Sequence, residues 1–277
     1  IVGLIPLKAM LDAGKYFLKK QHRSVGVSQD ELIKIAIKSL GLDDLKPFNP
    51  REKIIEFVLE DKRAVKARKL IDMSCAAFAD ETASESPAPG GGSISAYMGA
   101  LGASLATMVA NLSSHKPGWD ERWEEFSDWA EKGQKIKDEL LALVDEDTNA
   151  FNKIMNAFSL PKGNDQEKAI RTQAIQDATR YAIEVPYKTM EKALASFEVI
   201  KAMAEVGNPN SVTDAGVGAL CARSAVMGAF LNVKINACGL KDKDFVAETI
   251  AKGEEMLKKA MAEEESVLKI VHENINF

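Results

Sequence analysis

The stretch Ser86-Pro-Ala-Pro-Gly-Gly-Gly-Ser93, followed without one formal charge by ISAYMGALGASLATMVANLSS at 94–114, decides how the rest of the chain is read. Two prolines stiffen the approach, three glycines permit φ > 0 and close backbone approach, and Ser93 is placed to cap a helix starting near Ile94. Exposed N–H groups at such a turn suit a carboxylate or phosphate, which makes the turn a candidate ligand entrance. A linker followed by an N-cap is the competing reading. Beyond the turn, Ile94, Met98, Leu101, Leu105, Met108 and Leu112 recur at 4-3-4-3-4 spacing, with Gly99, Gly102, Ala103 and Ala106 on other faces. That pattern describes a central helix crowded by partner helices. The segment is long enough to span a bilayer, but its Ser, Gly, Ala and Asn content and the lack of a second span weigh against membrane insertion.

Working outward, residues 1–21 suggest a short strand (IVGLIPL) leading into an amphipathic helix. Ser28 with Glu31 forms a capping box that opens a second helix ending near Leu40. Lys46-Pro-Phe-Asn-Pro50 breaks this α/β fragment and marks a boundary. Downstream the strand signals vanish, and helices are predicted near 51–60, 62–82, 93–115, 119–158, 165–184, 187–206, 209–238 and 242–274. Pro186 separates two of them, Gly207 with Pro209 two more, and Gly239 offers a C-cap before the last. The expected fold is therefore mainly α, a multi-helix domain over 62–277, preceded by a short α/β remnant at 1–50 and a linker at 51–61.

Helical spacing picks out two groups of polar residues. Leu140, Val144, Asp147, Phe151, Ile154 and Phe158 fall at 4-3-4-3-4 intervals, which sets Asp147 in an apolar stripe. A desolvated carboxylate holds its proton toward neutrality and serves as a general acid. The structural alternative is a buried Asp bonded to a neighbouring helix or paired with an Arg. Asp145 lies about 160° around the helix and reads as a solvated surface charge. In the second group, Asp214, Gly218, Cys221, Ala225, Gly228 and Asn232 share one narrow face suited to close approach by a helix or ligand. Asn232 and Asn236, one turn apart, could address the same heterocycle or carbonyl. Asp214 serving only the helix dipole, with the small stripe as packing, is the alternative there.

Composition narrows the function classes. The chain has 277 residues, net charge −5 and 6% aromatics, with no dominating basic block, which argues against a nucleic-acid partner. Cys75, Cys221 and Cys238 are unclustered among apolar neighbours and read as reduced, buried thiols of a cytoplasmic protein. The histidines His22, His115 and His272 lack ligand spacing, so no metal site is expected.

Three ordered segments, Asp80 to Ser93, Leu143-Val-Asp-Glu-Asp-Thr-Asn-Ala-Phe151 and Asn232-Val-Lys-Ile-Asn236, resemble the cyclodeaminase domain of the formiminotransferase-cyclodeaminase family over residues 58–277. IVGLIPLKAMLDAGKYFLKK and LKPFNPREKIIEFVLE resemble the end of that family's transferase portion. The family's transferase histidine has no counterpart here, so formiminotransferase activity is not expected from this chain alone. The resemblance implies an all-α, dimer-forming or larger homo-oligomeric domain, a lyase of one-carbon and histidine metabolism. It would convert 5-formimidoyltetrahydrofolate to 5,10-methenyltetrahydrofolate and ammonia. The family's proton donor matches Asp147. Folate, with or without a polyglutamate tail, is the expected partner, as substrate rather than cofactor, and no other cofactor is implied. On that footing Gly90, Gly91, Gly92 and Ser93 are candidates for an anionic or carbonyl part of folate, Asn232 and Asn236 for polar contacts, Lys116 for the glutamate tail, and Asp214 for orienting substrate. Two other readings stay open: a methenyltetrahydrofolate cyclohydrolase, and a non-catalytic helical scaffold of a larger folate enzyme.

Overall fold

The computed structural model describes residues 3–63 and 69–275, and among these the chain is helical, with no strand. The helices are α1 (Leu7–Lys20), α2 (Gln29–Ser39), α3 (Pro50–Lys53), α4 (Ile55–Arg63), α5 (Cys75–Thr82), α6 (Gly91–Ser114), α7 (Trp123–Phe158), α8 (Asp165–Val206), α9 (Val212–Ala237) and α10 (Lys243–Asn274), with 3-10 turns at Leu70–Asp72, Asp120–Arg122 and Pro209–Ser211. Of the helix predicted over 62–82, residues 64–68 lie outside the described part, and the rest holds the end of α4, the first 3-10 turn and α5. The strand expected at the start reduces to one parallel bridge, Ile5 with Ile54, and its first two residues lie outside the described part. A ladder has nowhere to extend. Ile54 is a single extended residue between α3 and α4, and Pro6 already turns the chain into α1.

The chain forms two compact units, one of residues 1–68 with 107–134 and one of residues 69–106 with 135–277. In the first, α1 and α2 pack closely because Gly14 lies against the Leu32 backbone, where a Cβ would stand 2.9 Å from the Leu32 carbonyl carbon. Met10, Ile33, Ala36, Ile37 and Ile54 form its core, with Phe48 and Phe57 at the edge. The capping box forms as expected, Ser28 Oγ accepting from the Glu31 N–H at 3.3 Å. Ser127 Oγ accepts from the Val25 N–H at 3.0 Å, and the Asn111 amide donates to the Gly26 carbonyl at 2.9 Å.

The second unit is organised by small residues. Along α6 and α9, Gly91 meets Asn232, Ser95 meets Gly228, Gly99 meets Ala225, and Gly102 meets Gly218 and Cys221, so the two helices run antiparallel. A Cβ on Gly102 would lie 2.8 Å from the Gly218 carbonyl oxygen, closer than real side chains come. The narrow face predicted on α9 is thus a helix-packing face. On α6 the expectation inverts: the small residues Ala96, Ala100, Ala103 and Ala106 are buried, whereas Leu101 and Leu112 of the large-residue stripe are 44% and 47% exposed. Close approach needs small side chains, so the large ones are left outside. α8, α9 and α10 pack on one another, with Gly253 of α10 admitting the Phe230 ring and Gly216 of α9 admitting Val271. Two helical segments, Gly91–Ser114 and Pro209–Ala237, are long and apolar enough to cross a membrane, so a second such span does exist. These are the same segments whose small faces pack on each other.

Pro186 does not divide α8, which runs unbroken from Asp165 to Val206. Proline lacks an N–H, so the carbonyl four residues earlier, on Ala182, has no helical donor. The Asn236 amide supplies one at 2.7 Å. Asn236→Ala is expected to leave that buried carbonyl unpaired and to destabilise the fold by about 1–3 kcal/mol in chemical denaturation. Adding Pro186→Ala should recover most of the loss, because the new N–H takes over the same acceptor. Failure of the second substitution to recover stability would show that Asn236 acts otherwise.

Cysteine burial also departs from expectation: Cys75 and Cys238 are exposed and Cys221 is half-buried. The first two sit at helix ends, at the start of α5 and at the C-cap of α9.

Candidate active site

Three consecutive carboxylates sit in the middle of α7, and the ~100° step of a helix sends each to a different neighbour. Asp145 accepts from the Leu70 N–H at 2.6 Å, and its second oxygen is buried. It caps the 3-10 turn at Leu70–Asp72, satisfying a donor that such a turn leaves open, and is not a solvated surface charge. Glu146 accepts from the Tyr181 hydroxyl and from the Asn149 amide at 3.1 Å, with Lys153 at 3.9 Å. Burial alone would raise the Glu146 carboxyl, but Tyr181, Asn149, Lys153 and Lys188 together hold it below the usual range. The Glu146 bond in turn pushes the Tyr181 hydroxyl up to about 12. Asp145 and Glu146 are therefore committed to holding the fold together.

Asp147 faces the first turn of α6. Its Oδ2 accepts from the Ser93 N–H at 2.9 Å and lies 3.1 Å from the Ser93 hydroxyl, which also reaches the Val144 carbonyl at 2.9 Å. The carboxylate fits there only because residue 92 is glycine, since a Cβ on Gly92 would lie 2.5 Å from Asp147 Cγ. Burial holds the Asp147 carboxyl above the usual range, with the two Ser93 contacts pulling the other way and no charged neighbour contributing. Among the described residues Asp147 makes no ion pair, and its Oδ1 has no hydrogen-bond partner yet is not sealed from solvent. A carboxyl with one oxygen held, one oxygen free and no cation beside it can keep its proton and give it up on demand.

The apolar stripe around Asp147 is only half a core. Leu140 and Val144 are fully buried, but Phe151 and Phe158 are 37% and 51% exposed, and the buried line continues instead through Ala150 and Ala157. The 18-residue step from Leu140 to Phe158 makes about five whole turns, so the stripe keeps one face of α7, and that face comes out to solvent toward the end of the helix.

The glycine turn takes a different form from the one expected. None of Gly90, Gly91 and Gly92 has positive φ, and α6 begins at Gly91, so Ser93 lies inside the first turn rather than capping it. Close approach is what the glycines provide: Gly92 to Asp147, and Gly91 to Asn232, whose amide nitrogen would sit 3.2 Å from a Cβ. Gly91, Gly92, Ser93, Asp147 and Asn232 thus converge where α6 starts, and Gly90 precedes them with its carbonyl bonded to the Ile94 N–H at 3.0 Å. Two candidates do not join them, and a third belongs to the other unit. Asn236 is turned to α8, and Asp214 lies in the first turn of α9, about 27 Å along the helix from Asn232 at 1.5 Å per residue. Lys116 belongs to the first unit, its ammonium over the Trp119 ring at 3.8 Å. Sequence reading missed Tyr181 and the capping role of Asp145, since their partners lie 35 and 75 residues away and leave no local signature. Among the described residues no group of three or more His, Cys, Asp or Glu gathers to hold a metal ion.

The match to known proteins falls on the segments that build this arrangement. Residues 74–255 match the formiminotransferase-cyclodeaminase family model, and residues 1–60 match the formiminotransferase domain model. The chain belongs to the formiminotransferase-cyclodeaminase family. It is 36% identical to formimidoyltransferase-cyclodeaminase of Gallus gallus over 90% of this chain and 46% of that protein, and 34% identical to that of Rattus norvegicus over 97% and 49%. The chain spans about half the length of these family members. It is also 36% identical to methenyltetrahydrofolate cyclohydrolase of Methylorubrum extorquens over 72% of this chain and 96% of that protein. The crystal structure of formiminotetrahydrofolate cyclodeaminase from Thermotoga maritima superposes with a TM-score of 0.64 at 26% identity, covering 72% of this chain and 96% of that one. The family's helical architecture is the one described above.

Proposed function

We propose that this chain is a folate cyclodeaminase that converts 5-formimidoyltetrahydrofolate to 5,10-methenyltetrahydrofolate and ammonia. The observation that carries the reading is Asp147: a partly buried carboxyl without a cation partner, its Oδ2 held by Ser93 and its Oδ1 free. In the reaction, N10 of the folate forms a bond to the formimino carbon, and the N10 proton passes to the imino nitrogen. Asp147 then gives its proton to the resulting amino group. The C–N bond breaks with its electron pair on the departing ammonia, and the N5 lone pair closes the methenyl double bond. An amine leaves poorly until protonated, so the acid matters most at this step. Binding that holds N10 against the carbon makes ring closure an oriented intramolecular event. No metal or cofactor enters this scheme.

Gly91 and Gly92 with Asn232 are the candidate floor of the folate site, beside the acid that Ser93 holds. Asn236, Asp214 and Lys116 are weaker candidates, because their positions are explained by other partners or lie elsewhere in the fold. The exposed apolar face of α9, with Leu220, Met227, Leu231 and Ile235, supports a second copy of the chain as its partner. The scaffold reading would be supported by Asp147 closed into a salt bridge, and among the described residues it makes none.

A cyclohydrolase is the second reading, favoured by the match over 96% of the Methylorubrum enzyme. Offering the purified chain the formimino and the methenyl folate separately distinguishes the two. The cyclodeaminase reading expects methenyl absorbance to grow with equimolar ammonia from the first substrate, and faster than methenyl is lost from the second. Rapid methenyl hydrolysis without ammonia release overturns it.

A further inference from the structure

Ser93 has a fully buried side chain and is the only described residue that bonds Asp147, through both its backbone N–H and its hydroxyl. Both contacts go to the same carboxyl oxygen. The backbone N–H can only donate, and it belongs to the first turn of α6, where helix N–H groups are otherwise unpaired and the helix dipole favours negative charge. Oδ2 is therefore the oxygen on which the carboxyl's negative charge is stabilised. The hydroxyl has one proton and two acceptors within reach, Asp147 Oδ2 at 3.1 Å and the Val144 carbonyl at 2.9 Å. The Val144 carbonyl also accepts within α7, so turning the hydroxyl to Oδ2 leaves nothing buried unpaired.

We propose that Ser93 is the positioning residue of this site: with both of its donors on Oδ2, it fixes the side chain of Asp147 and leaves Oδ1 as the oxygen that carries and delivers the proton. The inference rests on the reading of Asp147 as the acid, and it replaces the expectation that Ser93 itself binds folate. Its geometry is self-consistent. Oδ1 lies in the space that the missing side chain of Gly92 leaves, is not sealed from solvent, and has no other partner to retain the proton. Other groups nearby are turned away or uncharged. On α7, Glu146 faces Tyr181 and Lys153, and Asp145 faces Leu70; on α6, Tyr97 interacts with Cys75 and not with Asp147; and on α9 the Asn232 amide lies at Gly91. The proton placement is thus set by Ser93 alone.

The test reads the proton's location directly. In the protonated carboxyl the carbonyl oxygen is the one without the proton, and its infrared stretch falls in frequency as it accepts more hydrogen bonds. Isotope-edited infrared difference spectra of the full chain at the acid end of its stable range, with Asp147→Asn identifying the band, should place the wild-type carbonyl at the low-frequency end of the carboxylic-acid range. Ser93→Ala should move the band up and shift the Asp147 titration to higher pH, because the anion loses a donor. Ser93→Thr, which keeps the hydroxyl, should return both. Turnover in Ser93→Ala should fall about tenfold, the size expected from one hydrogen bond to a charged group. A wild-type band at the high-frequency end, or an unmoved band in Ser93→Ala, overturns the proposal. The spectra need no substrate, so they report on Ser93 even if the chain fails to release ammonia, and that failure would instead overturn the cyclodeaminase reading.

Discussion

Asp147→Asn is expected to retain the fold and folate binding and to lose turnover by about 10²–10⁴-fold, the range a positioned general acid supplies. The substitution is nearly isosteric, and the amide oxygen can still accept from the Ser93 N–H, so the packing of α7 against α6 is preserved. Only the transferable proton is lost. Ammonia release at close to the wild-type rate would remove Asp147 from the mechanism. The same substitution carries a stability signature of definite sign. Burial raises the Asp147 carboxyl in the folded protein above its unfolded value. Its contribution is then fully present below the unfolded value and declines as pH rises through the folded one. Denaturation curves should therefore show the wild type losing ground to Asp147→Asn as pH increases across that interval. A catalytic group held against its own ionisation commonly trades stability for function in this way.

Gly92→Ala should be nearly as damaging, although residue 92 has no side chain to contribute chemistry. A Cβ there would lie 2.5 Å from Asp147 Cγ, and both partners sit on well-packed helices with little room to retreat. The carboxylate must move, and a displacement of about 1 Å in a catalytic group costs about 10²-fold in rate. Gly91→Ala provides the comparison. Its Cβ meets the end of the Asn232 side chain at 3.2 Å, which can shift by a few tenths of an ångström. The expected order of kcat is wild type, then Gly91→Ala, then Gly92→Ala, and equal kcat values for the two variants would contradict the close-approach role of Gly92.

Much of this arrangement was legible in the sequence because it rests on local rules. Ser28 with Glu31 marked the start of α2, and the run from Pro209 to Gly239 outlined α9. Spacing separated Asp147 from Asp145, and the structure gives each a different partner. The small face of α9 was also visible, because every fourth or third position from Gly218 to Gly228 carries a small residue. What stayed hidden depends on partners distant in sequence. Pro186 reads as a helix end unless Asn236, 50 residues later, is known to satisfy the Ala182 carbonyl. The stripe of large residues on α6 reads as its core face, and only the glycines of α9 opposite explain why the small face is buried instead. Ser93 reads as a cap, since its true acceptor lies 54 residues away. The glycine turn exists to let Asp147 approach the start of α6, a relation between two helices that neither segment encodes by itself.

The claim that neutral Asp147 protonates the leaving nitrogen is tested most directly by the pH dependence of a single turnover. Methenyl absorbance would be followed with 5-formimidoyltetrahydrofolate bound to excess enzyme, for the wild type and for Asp147→Asn at matched pH. The account predicts a wild-type rate that falls as pH rises through the Asp147 titration, and a slow rate in the variant that lacks this fall. A wild-type rate that climbs with pH, or an identical profile in both proteins, would contradict it.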